Sequence, residues 1–191
     1  MQKIQTANQL GGMAIGSIFA AGFGTGWLFL ALAAKQLITF ATVSGVMLGM
    51  LFLFLTAFYL LRQSKRWPRV PDDPALRRTF MWVNAVQWIA VFVVAFTLAR
   101  LRLDAYIMNA ITAIVGLHMF PLARLFRFPP HYATGAILVA WAAASALVAS
   151  AEQMQGTAAL GTGIILWLSA VVTLSIGINA AQQPVPGTSV A

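Results

Sequence analysis

Five side chains capable of polar chemistry lie inside long apolar runs of this chain: Asn84, Gln87, Asn109, His118 and Asn179. Polar groups at membrane depth are costly and so mark function by default. Asn84 and Gln87 are three residues apart and share one helix face. If their helix runs outward and the next runs inward, Gln87 and His118 both fall slightly to the inner side of the midplane. Asn84, Gln87 and His118, with Arg124 near the inner mouth, therefore form a candidate substrate-binding cluster for a small polar solute. The competing reading is that the amides are interhelical glue at about 1 kcal/mol each, with His118 satisfied on a backbone carbonyl. Asn109 and Thr112 share a face with Gly116, whereas His118 is turned roughly half a circle from Asn109 at about 100° per residue. Pro121 is the candidate hinge, because proline removes a helix hydrogen bond.

Other chemistries lack their residues. The chain has no cysteine and two histidines, which excludes thiolate chemistry and leaves His118 without the neighbouring ligand or carboxylate that zinc or iron coordination needs. Paired haem ligation is not expected from two histidines. No acidic residue falls within an apolar run, where a proton or sodium relay usually keeps a carboxylate. Asp104 and Glu152 belong to outer-side turns. The expectation is a protein with no catalytic residue, no metal and no cofactor.

The elements that must position these residues are six apolar runs, at about 11–33, 37–61, 79–98, 105–122, 132–150 and 157–180. A bilayer crossing takes about 20 apolar residues. Hydrophobic residues make up 60% of the chain and charged residues 8%, against roughly 25% charged in soluble domains. The fold class is therefore all-α, a polytopic membrane bundle of six transmembrane helices in one domain over residues 1–181, with a disordered tail at 182–191. The first run ends in Ala31-Leu32-Ala33, which mimics a signal-peptidase site, but it exceeds a signal h-region of roughly 7–15 residues and is read as a retained span.

The net charge of +8 reports topology rather than nucleic-acid binding. Arg62, Lys65, Arg66, Arg69, Arg77 and Arg78 crowd one polar segment, broken by Pro68, Pro71 and Pro74 into a loop. Asp73 before Pro74 is placed to cap the following helix. With Lys3, Arg124 and Arg127, that side collects nine basic residues against Lys35, Arg100 and Arg102 on the other. The positive-inside rule then puts both termini inside, in the inner (cytoplasmic) membrane of a bacterium. Trp67 and Trp82 are expected near the inner interface and Trp27 near the outer one.

Small residues recur at helical spacing. Gly12, Gly16, Ala20 and Gly24 line the first run, Ala41, Gly45 and Gly49 the second, and Ala136, Ala140 and Ala144 the fifth. Such stripes let backbones approach closely, so the first two helices are expected to pack tightly together or to meet a second copy in a homo-oligomer. The alternative is that glycines line a narrow pore. Gly24-Thr25-Gly26 and Gly161-Thr162-Gly163 look alike but are too short to argue a repeat.

The stretch from Gly116 to Phe126, followed by Tyr132 and Gly135, resembles a segment of small, uncharacterised bacterial multi-span membrane proteins; the likeness covers about 20 residues and implies no chemistry. Arg127-Phe128-Pro129 with Tyr132 and Gly135 is similar to the Arg-His-Pro-x-Tyr-x-Gly motif of isoprenylcysteine methyltransferase-like enzymes. Phe128 replaces the motif histidine and the spacing is one residue longer, so that activity is not implied. Two readings follow. One is a small-solute transporter or channel using the inner-half polar cluster. The other is a non-catalytic scaffold that senses membrane lipid or a partner through its basic loop and small-residue faces.

Overall fold

The computed structural model describes residues 6–71 and 73–183, which form six α-helices and no strand. They are α1 (Ala7–Ala34), α2 (Phe40–Ser64), α3 (Pro74–Arg100), α4 (Ile107–Leu125, preceded by a 3-10 turn at Asp104–Tyr106), α5 (Pro130–Val148) and α6 (Ala151–Ala181). All six are long and apolar enough to span a membrane, α4 together with its leading turn. The chain is thus the all-helical, six-span bundle that its apolar runs predict.

Side-chain caps set where α1, α2 and α3 begin. Thr6 and Gln9 form a capping box on α1, as Thr39 and Thr42 do on α2. Asp73 accepts a 2.9 Å bond from the Ala75 amide, with Pro74 in the first turn of α3, the arrangement expected there. The caps at Thr6 and Asp73 start α1 and α3 ahead of their apolar limits, whereas Thr39 starts α2 at Phe40, inside its own. Thus α3 starts at Pro74 rather than 79, and with α2 running on to Ser64, Arg62, Arg77 and Arg78 of the 62–78 segment are helical while Lys65, Arg66 and Arg69 lie between the two helices. The polar Ala151-Glu152-Gln153 segment, expected as a turn, is the first turn of α6. Glu152 there meets the positive end of the helix dipole.

Three helices end alike. Gln36, Arg102 and Arg127 take positive φ (55°, 60° and 49°) just beyond α1, α3 and α4. In each case the next residue's amide bonds back across the last turn: Leu37 to Leu32, Leu103 to Leu98 and Phe128 to Ala123, at 2.8–3.0 Å. This is the Schellman closure, which usually employs glycine.

α6 is central. It packs most closely on α1 and also touches α2, α4 and α5, while α4 adjoins α5 and α3. The closest approaches occur at glycines. A Cβ on Gly24 would lie 3.1 Å from the Gly163 carbonyl oxygen, so the two Gly-Thr-Gly segments meet where α1 crosses α6. The Trp167 indole enters a slot between Gly24 of α1 and Gly49 of α2, and its Nε1 donates to the Ala21 carbonyl (3.1 Å) and Thr25 Oγ1 (3.3 Å). Trp141 lies against Gly161 and donates to the Ala158 carbonyl at 3.2 Å.

The small-residue stripes divide. Gly12, Gly16 and Gly45 face open space, and Ala136, Ala140 and Ala144 are exposed. α1 and α2 do adjoin, but through Gly11 beside Ser64 and Leu61, and Gly22 beside Phe54, because α6 occupies the face on which the stripes would have met. Two of the three tryptophans assigned to the interfaces are buried between helices. Trp67 is buried with Ala7, Leu10 and Leu60, and Trp27 with Ala31, Leu138 and Leu166. Both fill space between helices, and only Trp82 is exposed, at 63%.

α3 is the peripheral helix. None of its residues is buried; it leans on α4 and the turn before it, and it meets α1 through Trp88 against Phe23, ring centroids 6.4 Å apart.

Candidate functional site

The predicted polar cluster lies along the α3–α4 contact. Asn84 is partly buried and donates to the Phe80 carbonyl of its own helix at 2.8 Å. Gln87 is partly buried one turn further along. His118, partly buried on α4, lies near the backbone of Val83, next to Asn84, and near His131 of α5. α3 thus brings Val83, and Asn84 beside it, to the level of His118, with Gln87 a turn further on. Arg124, in the last turn of α4, is exposed. Pro121 is exposed as well, and α4 continues through it to Leu125. Asn179 is exposed near the end of α6.

The better-connected polar groups lie between α4, α5 and α6. Asn109, Thr112 and Gly116 are all buried on one face of α4, as their spacing predicts. Asn109 Nδ2 donates to Ser145 Oγ (2.7 Å) and to the Ala142 carbonyl (3.1 Å) on α5. Thr112 and Thr162 hydroxyls meet at 2.7 Å between α4 and α6, and Thr134 and Ser169 at 2.9 Å between α5 and α6. Each of these hydroxyls also bonds within its helix or can be donor to its partner: Thr112 donates to Met108, Thr162 to Ala158, Thr134 to Pro130 and Ser145 to Trp141 carbonyls. Asn109 Oδ1, Ser17 Oγ and His131 Nδ1 are buried without a hydrogen-bond partner.

Sequence reasoning passed over these serines and threonines, because a hydroxyl that bonds its own i−4 carbonyl costs little in an apolar run and leaves hydropathy almost unchanged. The signal available was spacing: Asn109 with Thr112, and Thr162 inside a glycine pair. The network joins helices, and no hydroxyl in it touches a base that would turn it into a nucleophile. Among the described residues, His, Asp and Glu do not gather in threes.

A second polar place forms where α1 begins. The Ala7 amide donates to the Pro68 carbonyl at 2.9 Å, and the Asn8 side chain clasps Val70 at both backbone groups, donating to its carbonyl (2.9 Å) and accepting from its amide (3.1 Å). The loop is pinned across the end of α1, with Trp67 buried beneath it. A cavity of about 410 Å³ opens there, lined by Ala7, Asn8, Ser64, Arg69, Val70 and Pro71. Arg69 is the basic residue of its lining, and Arg62, Lys65, Arg66, Arg69, Arg77 and Arg78 are all exposed on the loop and the adjoining helix ends. Searches against known protein families, curated proteins and solved structures found no match to this chain.

Proposed function

We propose that this is a non-catalytic membrane protein that engages anionic lipid through the basic 62–78 segment, acting as a lipid-responsive scaffold in the cytoplasmic membrane of a bacterium. One observation carries the reading: three exposed cations, Lys65, Arg66 and Arg69, are presented by a loop whose backbone is tied to the start of α1 by three hydrogen bonds, with Arg62, Arg77 and Arg78 exposed on the adjoining helix ends. A pinned loop loses less freedom when it meets its ligand, and each cation near an anionic surface contributes about 1 kcal/mol. Nine of twelve basic residues on that side support a cytoplasmic placement of the loop and of both termini.

The test is lipid retention. Native mass spectrometry of protein released from mixed phosphatidylglycerol and phosphatidylcholine should show phosphatidylglycerol enriched. Replacing Arg66 and Arg69 with glutamine should lower that enrichment by about tenfold or more, at about 1 kcal/mol per charge. Unchanged enrichment would sink the reading.

Small-solute transport is the second reading, favoured by the juxtaposition of His118 with Val83, next to Asn84, and with His131. Alanine at His118 and Gln87 should then reduce flux in proteoliposomes, and a flux that ignores both substitutions removes its basis.

A further inference from the structure

Two arginine pairs from different helices come together at one corner of the bundle. Arg77 and Arg78 lie in the opening turns of α3, and Arg124 and Arg127 lie in the last turn of α4 and just beyond it. α3 and α4 pack side by side, and the rings of Phe80 and Phe126, 5.7 Å apart, fasten the start of one to the end of the other. All four arginines are exposed. Among the described residues no carboxylate forms an ion pair with any of them; Asp73, the acid nearest to Arg77 in the chain, accepts from the Ala75 amide instead.

The residue type and its surroundings point to a lipid phosphate. All four positions are arginine rather than lysine, and the guanidinium fork meets phosphate oxygens two at a time. Trp82 is 63% exposed one turn beyond Arg78, and Tyr132 is exposed in the first turn of α5. Exposed tryptophan and tyrosine occupy the headgroup level of a bilayer, which places the arginines among the phosphates of the inner leaflet. Phe80 and Phe126, also exposed, offer apolar surface for acyl chains between the two pairs.

The separation of the pairs selects the headgroup. Packed helices stand about 8–10 Å apart, so the pairs spring from backbones set wider than a single phosphate. One phosphate drawn to either pair leaves the other without a counter-charge, whereas two phosphates on one headgroup serve both. Basic pockets between membrane helices on the cytoplasmic side bind headgroups of this kind. We infer that the α3–α4 corner binds a lipid with two phosphates on one headgroup, of the cardiolipin class, the α3 pair serving one phosphate and the α4 pair the other. The inference rests on reading the 62–78 segment as a surface for anionic lipid; it adds Arg124 and Arg127 from outside that segment and names the class of lipid.

The experiment uses the full chain in phosphatidylcholine vesicles holding cardiolipin and phosphatidylglycerol at equal phosphate, with retained lipid read by native mass spectrometry. Wild-type protein should retain cardiolipin about tenfold better than phosphatidylglycerol, the effect of roughly two further charge contacts. Arg124→Gln combined with Arg127→Gly should remove that advantage and leave phosphatidylglycerol retention within about twofold of wild type. Arg127 takes a positive φ of 49°, which glycine adopts without strain, so this variant should melt no lower than wild type. Arg66→Gln with Arg69→Gln, on the loop pinned to α1, should lower phosphatidylglycerol retention while the preference for cardiolipin persists. Equal retention of the two lipids by wild type, or a cardiolipin advantage that survives the α4 variant, overturns the corner assignment and leaves the loop reading standing. Failure of wild type to enrich either anionic lipid over phosphatidylcholine overturns the loop reading, and the inference with it.

Discussion

Gly116 of α4 and Gly135 of α5 touch backbone to backbone: a Cβ on Gly135 would stand 2.7 Å from the Gly116 carbonyl oxygen, and one on Gly116 2.9 Å from the Gly135 carbonyl oxygen. Neither side offers a flexible group that could move aside. Gly135→Ala should therefore force the helices apart and cost about 1–3 kcal/mol, the usual range for overpacking. Gly12→Ala and Gly45→Ala, at positions facing open space, should leave stability unchanged. Thermal unfolding of the three variants in one detergent checks the contrast, and equal midpoints would refute the crossing.

Trp167 is held by shape and by its indole N–H. Trp167→Phe should lose both the Ala21 and Thr25 contacts and lower stability by about 1 kcal/mol. Gly49→Ala should be as harmful or worse, since the ring occupies the place of the added methyl. A melting curve for Gly49→Ala that superimposes on wild type would show that the indole does not sit in this slot.

Asn109 and Ser145 form the shortest side-chain bond from an amide in the bundle, at 2.7 Å. A double-mutant cycle with Asn109→Ala and Ser145→Ala should give a coupling of about 0.6 kcal/mol, and no more than roughly 1.7, the span found for hydrogen bonds between membrane helices. Strict additivity would mean that the two groups are independent.

Gln36 adopts a left-handed conformation that costs a non-glycine residue about 1 kcal/mol or more. Gln36→Gly should raise the thermal midpoint, because the Leu37 to Leu32 closure needs only backbone. The same change at Arg102 should act in the same direction. A fall in midpoint at both would show that the side chains stabilise these turns by more than the conformation costs.

With no cysteine in the chain, each introduced thiol is unique and sidedness is directly measurable. Gln36→Cys and Arg69→Cys should label from opposite faces of intact cells or spheroplasts with a membrane-impermeant maleimide, Gln36 from outside. Labelling of both from one face would break the six-span topology.

Much of the fold was legible because membrane crossing is a property of composition over a window. Runs such as 37–61 declare themselves, and Asp73-Pro74 announces a helix start through local chemistry alone. Partner choice is a different matter. Nothing near Gly24 or Gly49 in the chain names Trp167, which lies more than a hundred residues away, and the preference of tryptophan for interfaces gives no hint that the Trp27 and Trp67 rings fill interhelical gaps. At the candidate site, the spacing put Asn84 and Gln87 on one face of α3, and the nearness of His118 to Val83 came only with the assembled helices. The hydroxyl pairs did not, since Thr112 with Thr162 and Thr134 with Ser169 exist only once three helices are assembled.

α3 buries none of its residues and rests mainly on α4 and the turn before it, with Trp88 touching Phe23 of α1, so displacing it breaks little. Lateral tension or a change in bilayer thickness would move this helix before any other, and with it Trp88. The protein therefore has a compliant side and a stiff side: its width in the membrane plane can follow the mechanical state of the lipid while α1, α4, α5 and α6 keep their shape.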